Sequence, residues 1–311
     1  MEKAFYMEAN DGTQIYVRQW LPHEVKAVVQ IMHGMNEHSG RYRDFAAYLN
    51  QKGYAVYAND HRGHGLTANS PEDIGYIGDN GFERMMEDQL LLTETVKETH
   101  PGLPVCILGH SMGSFLAQRY MQVNGQNIAG AILVGSGGVR KDIPLGILVA
   151  GLVERFNSDG RSRGMERIVF KGFNSRFDKR SRFEWIARDS EVVDEYLNDP
   201  YCGHVFPPSF YFQFLNFLKL LFDPEHVAEV PKELPVIILS GEDDPVGEFG
   251  KGIKRLHRQF GEAGATDLVF KLYKNARHEI LNDFGKQTVY EDIVSWIDGK
   301  IAAKGRQSPD G

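Results

Sequence analysis

Ser111 lies in Gly109-His110-Ser111-Met112-Gly113, a G-x-S-x-G pentapeptide. A serine hydroxyl attacks a carbonyl only when a base removes its proton and a third group orients that base. The chain offers both further on. Asn275-Ala-Arg-His278-Glu-Ile-Leu281 supplies His278 as a candidate base, and Ser240-Gly-Glu-Asp-Asp-Pro-Val246 supplies Glu242, Asp243 and Asp244 as candidate acids. Asp244 is favoured because Pro245 stiffens the chain directly after it. Asp243 is the competitor, and the remaining carboxylates read as a solvated loop. Taken alone, the pentapeptide also fits a turn serine satisfied by its own backbone.

The surrounding elements decide between these readings. Short apolar runs bounded by turn residues predict strands at Ile15–Gln19, Ala27–Met32, Ala55–Ala58, Val105–Leu108, Ala131–Val134, Val236–Ser240 and Leu268–Tyr273. Helical patterns fall between them at Tyr42–Gln51, Phe82–Thr99, Ser114–Val123, Gly250–Phe260 and Thr288–Ile297. Such alternation predicts an α/β fold with a mostly parallel sheet and helices on both faces. Ser111, the acid loop and His278 each follow a predicted strand, which places all three at one sheet edge.

The rhythm stops after Gly138. Residues 139–229 contain no convincing strand, three helical stretches and many aromatics, and are expected to form an inserted helical cap over that edge. The expected organisation is core at 1–138, cap at 139–229, core again at 230–303 and a disordered polar tail at 304–311. Within the cap, Phe210 to Phe222 is too apolar for a solvated helix. Phe210, Phe214 and Phe217 are therefore candidates for lining a substrate pocket, with plain packing as the alternative.

At 311 residues and a formal net charge of -7, the chain lacks the basic footprint of a nucleic-acid binder. No apolar run is long enough to span a bilayer, and the first ten residues lack a secretory h-region. Cys106 falls in a predicted strand and Cys202 is its only companion, so no disulfide and a reducing, cytoplasmic setting are expected. Histidines 33, 38, 61 and 64, with Asp60, invite a metal reading, yet neither group has the spacing of a structural zinc site. The expectation is no metal: Asp60 to Gly65 braces the loops, while Glu37, His38 and Arg41 form a polar network.

His33-Gly-Met-Asn-Glu37-His-Ser-Gly-Arg41-Tyr42, Asp60-His-Arg-Gly-His-Gly65, Gly109–Gly113, Gly241–Val246 and His278 together resemble the monoacylglycerol lipase/lysophospholipase branch of the α/β-hydrolase superfamily, also grouped with serine aminopeptidase-like hydrolases. The resemblance spans most of the chain outside the cap. It implies the chain order serine, acid, histidine, and the acid pattern G-x-x-D-P ending at Asp244–Pro245. It also implies an oxyanion hole from the backbone N–H groups of Met35 and Met112, with Gly34 letting the chain turn its amides inward. The implied reaction is cofactor-free hydrolysis of a small-molecule carboxylic ester, with a monoacylglycerol or lysophospholipid foremost and transient lipid-surface contact through the cap. Alternatives are a short-chain carboxylesterase, a thioesterase, an aminopeptidase-type hydrolase and a binding protein that has lost the chemistry. An aminopeptidase needs acidic groups for the substrate amine, for which Glu154, Glu166, Glu184, Glu191 and Glu195 are candidates.

Overall fold

In the computed structural model, which describes residues 2–158 and 160–305, the chain opens with an antiparallel hairpin, β1 (Glu2–Glu8) and β2 (Gln14–Trp20). Next come β3 (Ala27–Met32), α1 (Arg43–Gln51), β4 (Tyr54–Asn59), α2 (Gly81–Thr99), β5 (Val105–His110), α3 (Met112–Asn124) and β6 (Gly130–Val134). Five helices follow without a strand: α4 (Ile143–Phe156), α5 (Arg163–Val169), α6 (Ser190–Asn198), α7 (Pro208–Leu221) and α8 (Pro224–Ala228). The alternation then resumes with β7 (Val236–Gly241), α9 (Lys251–Glu262), β8 (Leu268–Tyr273) and α10 (Lys286–Gly305). The eight strands form one sheet in the order β1-β2-β4-β3-β5-β6-β7-β8, parallel from β4 through β8.

The expected α/β layering is present, with two differences. β1 escapes sequence reading because its outer position leaves most of the strand exposed, without the apolar run that marks the inner strands. The tail differs as well: α10 carries the chain to Gly305, so residues 304 and 305 are helical rather than disordered, and residues 306–311 lie outside the described residues.

β3 shows how the layers form. All six of its side chains are buried; Ala27, Val29 and Ile31 pack with α1 and α10, while Val28 and Met32 join α2 and α3 on the opposite face. A strand covered on both faces reads as continuously apolar because neither set of alternating side chains meets water. Gln30 is the exception, and it is satisfied: its amide donates to the Gln89 carbonyl and side-chain oxygens at 3.1 Å and accepts from Thr93 Oγ1 at 2.7 Å.

The inserted segment is less separate from the core than its sequence suggests. α7 packs on the α2 and α3 side of the sheet, with Phe82 stacked against Phe214 and Phe217 and edge-on to Phe210. The aromatic run is thus part of the main hydrophobic layer as well as the partner of α4.

Behind the site, His33, His61 and His64 are fully buried against one another. The His33 imidazole contacts the Gly34 carbonyl through Nδ1 at 2.7 Å and accepts from the His61 N–H through Nε2 at 2.9 Å. Burial, reinforced by the neighbouring histidines, holds His33 well below its usual range and pulls His61 down to about 3; burial takes His64 to about 4. The unfolded chain therefore binds more protons than the fold below about pH 6.5, so stability falls as pH drops from there toward the folded values. His110 acts oppositely, its raised pKa giving stability that is lost as pH rises through the folded value. Denaturation midpoints should fall across the window from about pH 6.5 to about pH 4, with a slope near 1.4 kcal/mol per pH unit for each proton taken up. A pH-independent midpoint in urea titrations would contradict this.

Candidate active site

The parallel strands deliver four loops to one edge. β5 ends at His110, and Ser111 sits in the turn to α3 with φ 53° and ψ -120°, a left-handed conformation unfavourable for any residue but glycine. The turn survives because its flanks are bare: a Cβ on Gly109 would strike the backbone of Gly113, and one on Gly113 would strike the Met32 and His33 carbonyls. β5 and α3 consequently cross at close range, and Ser111 is pushed out into a cavity of about 180 Å³.

β8 leads through Asn275, itself at positive φ, to His278, which is buried and faces the same cavity. Its Nδ1 lies 2.9 Å from Oδ2 of Asp244, a fully buried carboxylate beyond the end of β7. Asp244 also accepts from the Val246 N–H at 2.9 Å and from Ser240 Oγ at 3.2 Å. These bonds fix the carboxylate, and a carboxylate at Nδ1 keeps the proton there, leaving Nε2 free as a base. Glu242 is exposed, and Asp243 holds its place through its backbone, donating to the Ala276 carbonyl at 2.9 Å. Of the three candidate acids, Asp244 is the one that meets the histidine.

Met35 and Met112 both line the cavity, and among the described residues neither backbone N–H has a protein acceptor. Gly34 passes so close to Ser111 that a Cβ there would lie 3.1 Å from the serine Cβ. The loop is clamped from behind by Glu37, whose Oε1 accepts from the Gly34 N–H at 2.6 Å, Tyr42 Oη at 2.8 Å and His110 Nδ1 at 3.0 Å. Its other oxygen accepts from Arg41 at 3.1 Å, and Arg41 forms a bidentate pair with Glu279 at 2.6 and 2.7 Å. Burial pushes the Glu37 carboxyl up, but the hydrogen bond and charge of His110, with Arg41, outweigh it and hold it well below the usual range. Burial likewise opposes charge on His110, yet Glu37 prevails and raises its pKa. The hydrogen-bonded Glu37–His110 pair thus sits directly under the turn that carries Ser111.

The expected network of Glu37, His38 and Arg41 divides in two: Glu37 and Arg41 anchor the loop, while His38 turns toward Asp199. Asp60 braces its neighbours, accepting from the Ser39 N–H at 2.8 Å and the Leu66 N–H at 2.7 Å. Phe214 reaches the cavity wall, whereas Phe210 and Phe217 do not line it and instead pack around Phe82. The five cap glutamates weighed for an amine also lie outside the lining; Glu166 pairs with Arg182 at 2.8 Å and Glu184 accepts from Ser181 Oγ at 2.6 Å. Trp185 and Glu279 escape sequence reading: the Trp185 ring lies 5.0 Å from that of His278, and Glu279 ties Arg41 to the histidine loop. Adjacency of Glu279 to His278 was the available signal; nothing in the spacing marks Trp185.

A strained serine, a histidine held by a buried acid and two free amides over one cavity are the arrangement that acyl transfer requires. With the doubly covered parallel sheet behind it, this site defines a serine hydrolase of the α/β-hydrolase fold, an enzyme that cleaves esters. The family model described as serine aminopeptidase, S33, matches residues 23–284, and the chain belongs to that family. It is 27% identical to human monoglyceride lipase over 307 residues, covering 96% of this chain and 91% of that one. Monoacylglycerol lipase of Mycolicibacterium smegmatis is 26% identical, with 92% and 93% covered. Among solved structures, a thermostable carboxyl esterase from Bacillus coagulans in complex with glycerol superimposes with a TM-score of 0.90 at 28% identity, covering 96% of this chain and 99% of that one. Among the described residues, no helix is long and apolar enough to cross a membrane.

Proposed function

We propose that the enzyme hydrolyses monoacylglycerols through an acyl-enzyme on Ser111. His278 takes the serine proton through Nε2 as Oγ adds to the ester carbonyl, and Asp244 stabilises the imidazolium. The Met35 and Met112 N–H groups receive the oxyanion. His278 then protonates the departing alcohol, and water releases the fatty acid by the same steps in reverse.

The observation that carries this reading is the change in character of the cavity wall. Core loops contribute Glu37, His110 and Glu279 to its polar part, joined by Arg140 and Asp142 just before α4, whereas α4, α5 and α7 contribute Ile143, Met165, Ile168, Leu215 and Leu218. A small polar head and a long apolar tail match these two sets, and two of the relatives above are named as lipases of monoglycerides or monoacylglycerols. α4 also presents Leu145, Leu148, Leu152 and Phe156 to solvent beside the cavity that it helps to line, a face suited to transient contact with a lipid aggregate. Cys106 and Cys202 are buried and not joined in a disulfide, which suits a reducing, cytoplasmic setting.

A substrate panel tests the reading. For monoacylglycerols, kcat/KM should rise by up to about fourfold per methylene, the equivalent of about 0.8 kcal/mol, until the chain fills the apolar wall. Leu218→Trp should move that optimum to shorter chains. A preference for acetate esters, lysophospholipids or aminoacyl amides over monoacylglycerols would refute the assignment.

A further inference from the structure

We propose that His38, Asp199 and Cys202 form a site for a thiophilic divalent cation of the zinc class, bridging the loop after β3 to the inserted segment. One ligand atom from each residue lies within 4.8 Å of the others. His38 Nε2 is 3.0 Å from Asp199 Oδ2, and Cys202 is 6% exposed. His38 lies far in sequence from Asp199 and Cys202, so no ligand spacing announces the set. Imidazole, carboxylate and thiolate together suit zinc, and the thiolate disfavours magnesium or calcium. Three protein ligands leave a fourth tetrahedral position for water.

The fold holds this geometry by other means. Asp199 accepts from the Tyr201 N–H through Oδ1 at 2.8 Å, leaving Oδ2 toward the histidine, and the Cys202 N–H donates to the Asp199 carbonyl at 3.1 Å. One tight turn after α6 thus presents both side chains. Nearby, Asn36 and His204 exchange two hydrogen bonds of 2.7 Å between the same loop and the same segment. The neighbouring Arg41 charge is met by Glu37 and Glu279. Ligation through Nε2 moves the ring proton of a neutral His38 to Nδ1 and gives up both the 3.0 Å bond to Asp199 Oδ2 and the 3.2 Å bond from the Gly40 N–H, while Cys202 releases its thiol proton to solvent. The cation therefore exchanges these two hydrogen bonds for a three-residue crosslink between the loop that carries Met35 and the segment over the cavity.

Cobalt(II) is the probe, because a thiolate ligand produces an intense charge-transfer band that other ligands do not. The full chain should bind one equivalent with that band, lose it to zinc, and melt a few degrees higher with zinc in large excess over its Kd. Cys202→Ser, His38→Gln and Asp199→Asn should each weaken cobalt binding at least tenfold, and Cys202→Ser should abolish the band, while Cys106→Ala should keep it. Far-UV circular dichroism and fluorophosphonate labelling of Ser111 establish that each variant is folded, and the Asp199 substitution reports even where a buried one is not tolerated. Absence of the band in the wild-type chain, its persistence in Cys202→Ser or its loss in Cys106→Ala would overturn the assignment.

Discussion

Ser111→Ala is expected to lower kcat for an activated ester by about 10⁶-fold and to abolish covalent labelling by a fluorophosphonate. The size follows from the way the parts act together. His278 has no proton to take once the hydroxyl is gone, so the aligned Asp244 contributes nothing further. What remains is the stabilisation that the Met35 and Met112 amides give to attack by water, about 10³–10⁴ over the uncatalysed rate in comparable enzymes. The fold should persist, because Ser111 makes its local contacts through its backbone: its N–H donates to the Val134 carbonyl at 3.0 Å, and its carbonyl accepts from the Ser114 N–H at 2.8 Å. Labelling of the variant at the wild-type rate would place the nucleophile elsewhere. Failure of the folded wild-type chain to label would instead favour a binding protein that retains only the architecture.

Asp244→Asn should reduce kcat by about 10⁴-fold, whereas Asp243→Asn should stay within about tenfold of wild type. The two residues are neighbours in sequence but not in environment. Asp244 is fully buried and already receives three hydrogen bonds, one of them from His278. An amide there can turn its NH2 toward Nδ1, which moves the imidazole proton to Nε2 and leaves no lone pair for Ser111. Asp243 is partly exposed and its side chain does not meet the histidine. Steady-state kinetics on the two variants separate the cases. Loss of activity in the Asp243 variant alone would mean that the acid has been misassigned.

The convergence of the candidate catalytic residues was legible because each follows an apolar run that ends in a turn, and a parallel sheet brings such ends together. Pro245 was the local mark that separated Asp244 from Asp243, and the burial of Asp244 supplies its physical reason. Much less of the inserted segment could be read. Among the described residues it holds five helices where three were discernible, and α5 and α8 are too short to establish a period. The fates of Phe210, Phe214 and Phe217 depend on which neighbours surround α7, and helical spacing alone cannot rank three phenylalanines that all avoid water. β1 was missed for the opposite reason, as an outer strand does not need the hydrophobic pattern that announces an inner one.

That one helix supplies both a wall of the cavity and part of the core has an evolutionary consequence. Along α7, Phe214, Leu215 and Leu218 face the cavity while Phe210 and Phe217 secure Phe82, so remodelling the pocket from this side perturbs folding with it. Truncating such a phenylalanine typically destabilises a protein by about 3–5 kcal/mol, a large part of the whole margin of a natural domain. The α4 wall is different: Leu145, Leu148 and Leu152 are exposed, and Gly146 and Ile143 reach the cavity from the same helix. Diversification of the pocket should therefore concentrate in α4, with α7 drifting slowly as the conservative side of the same pocket.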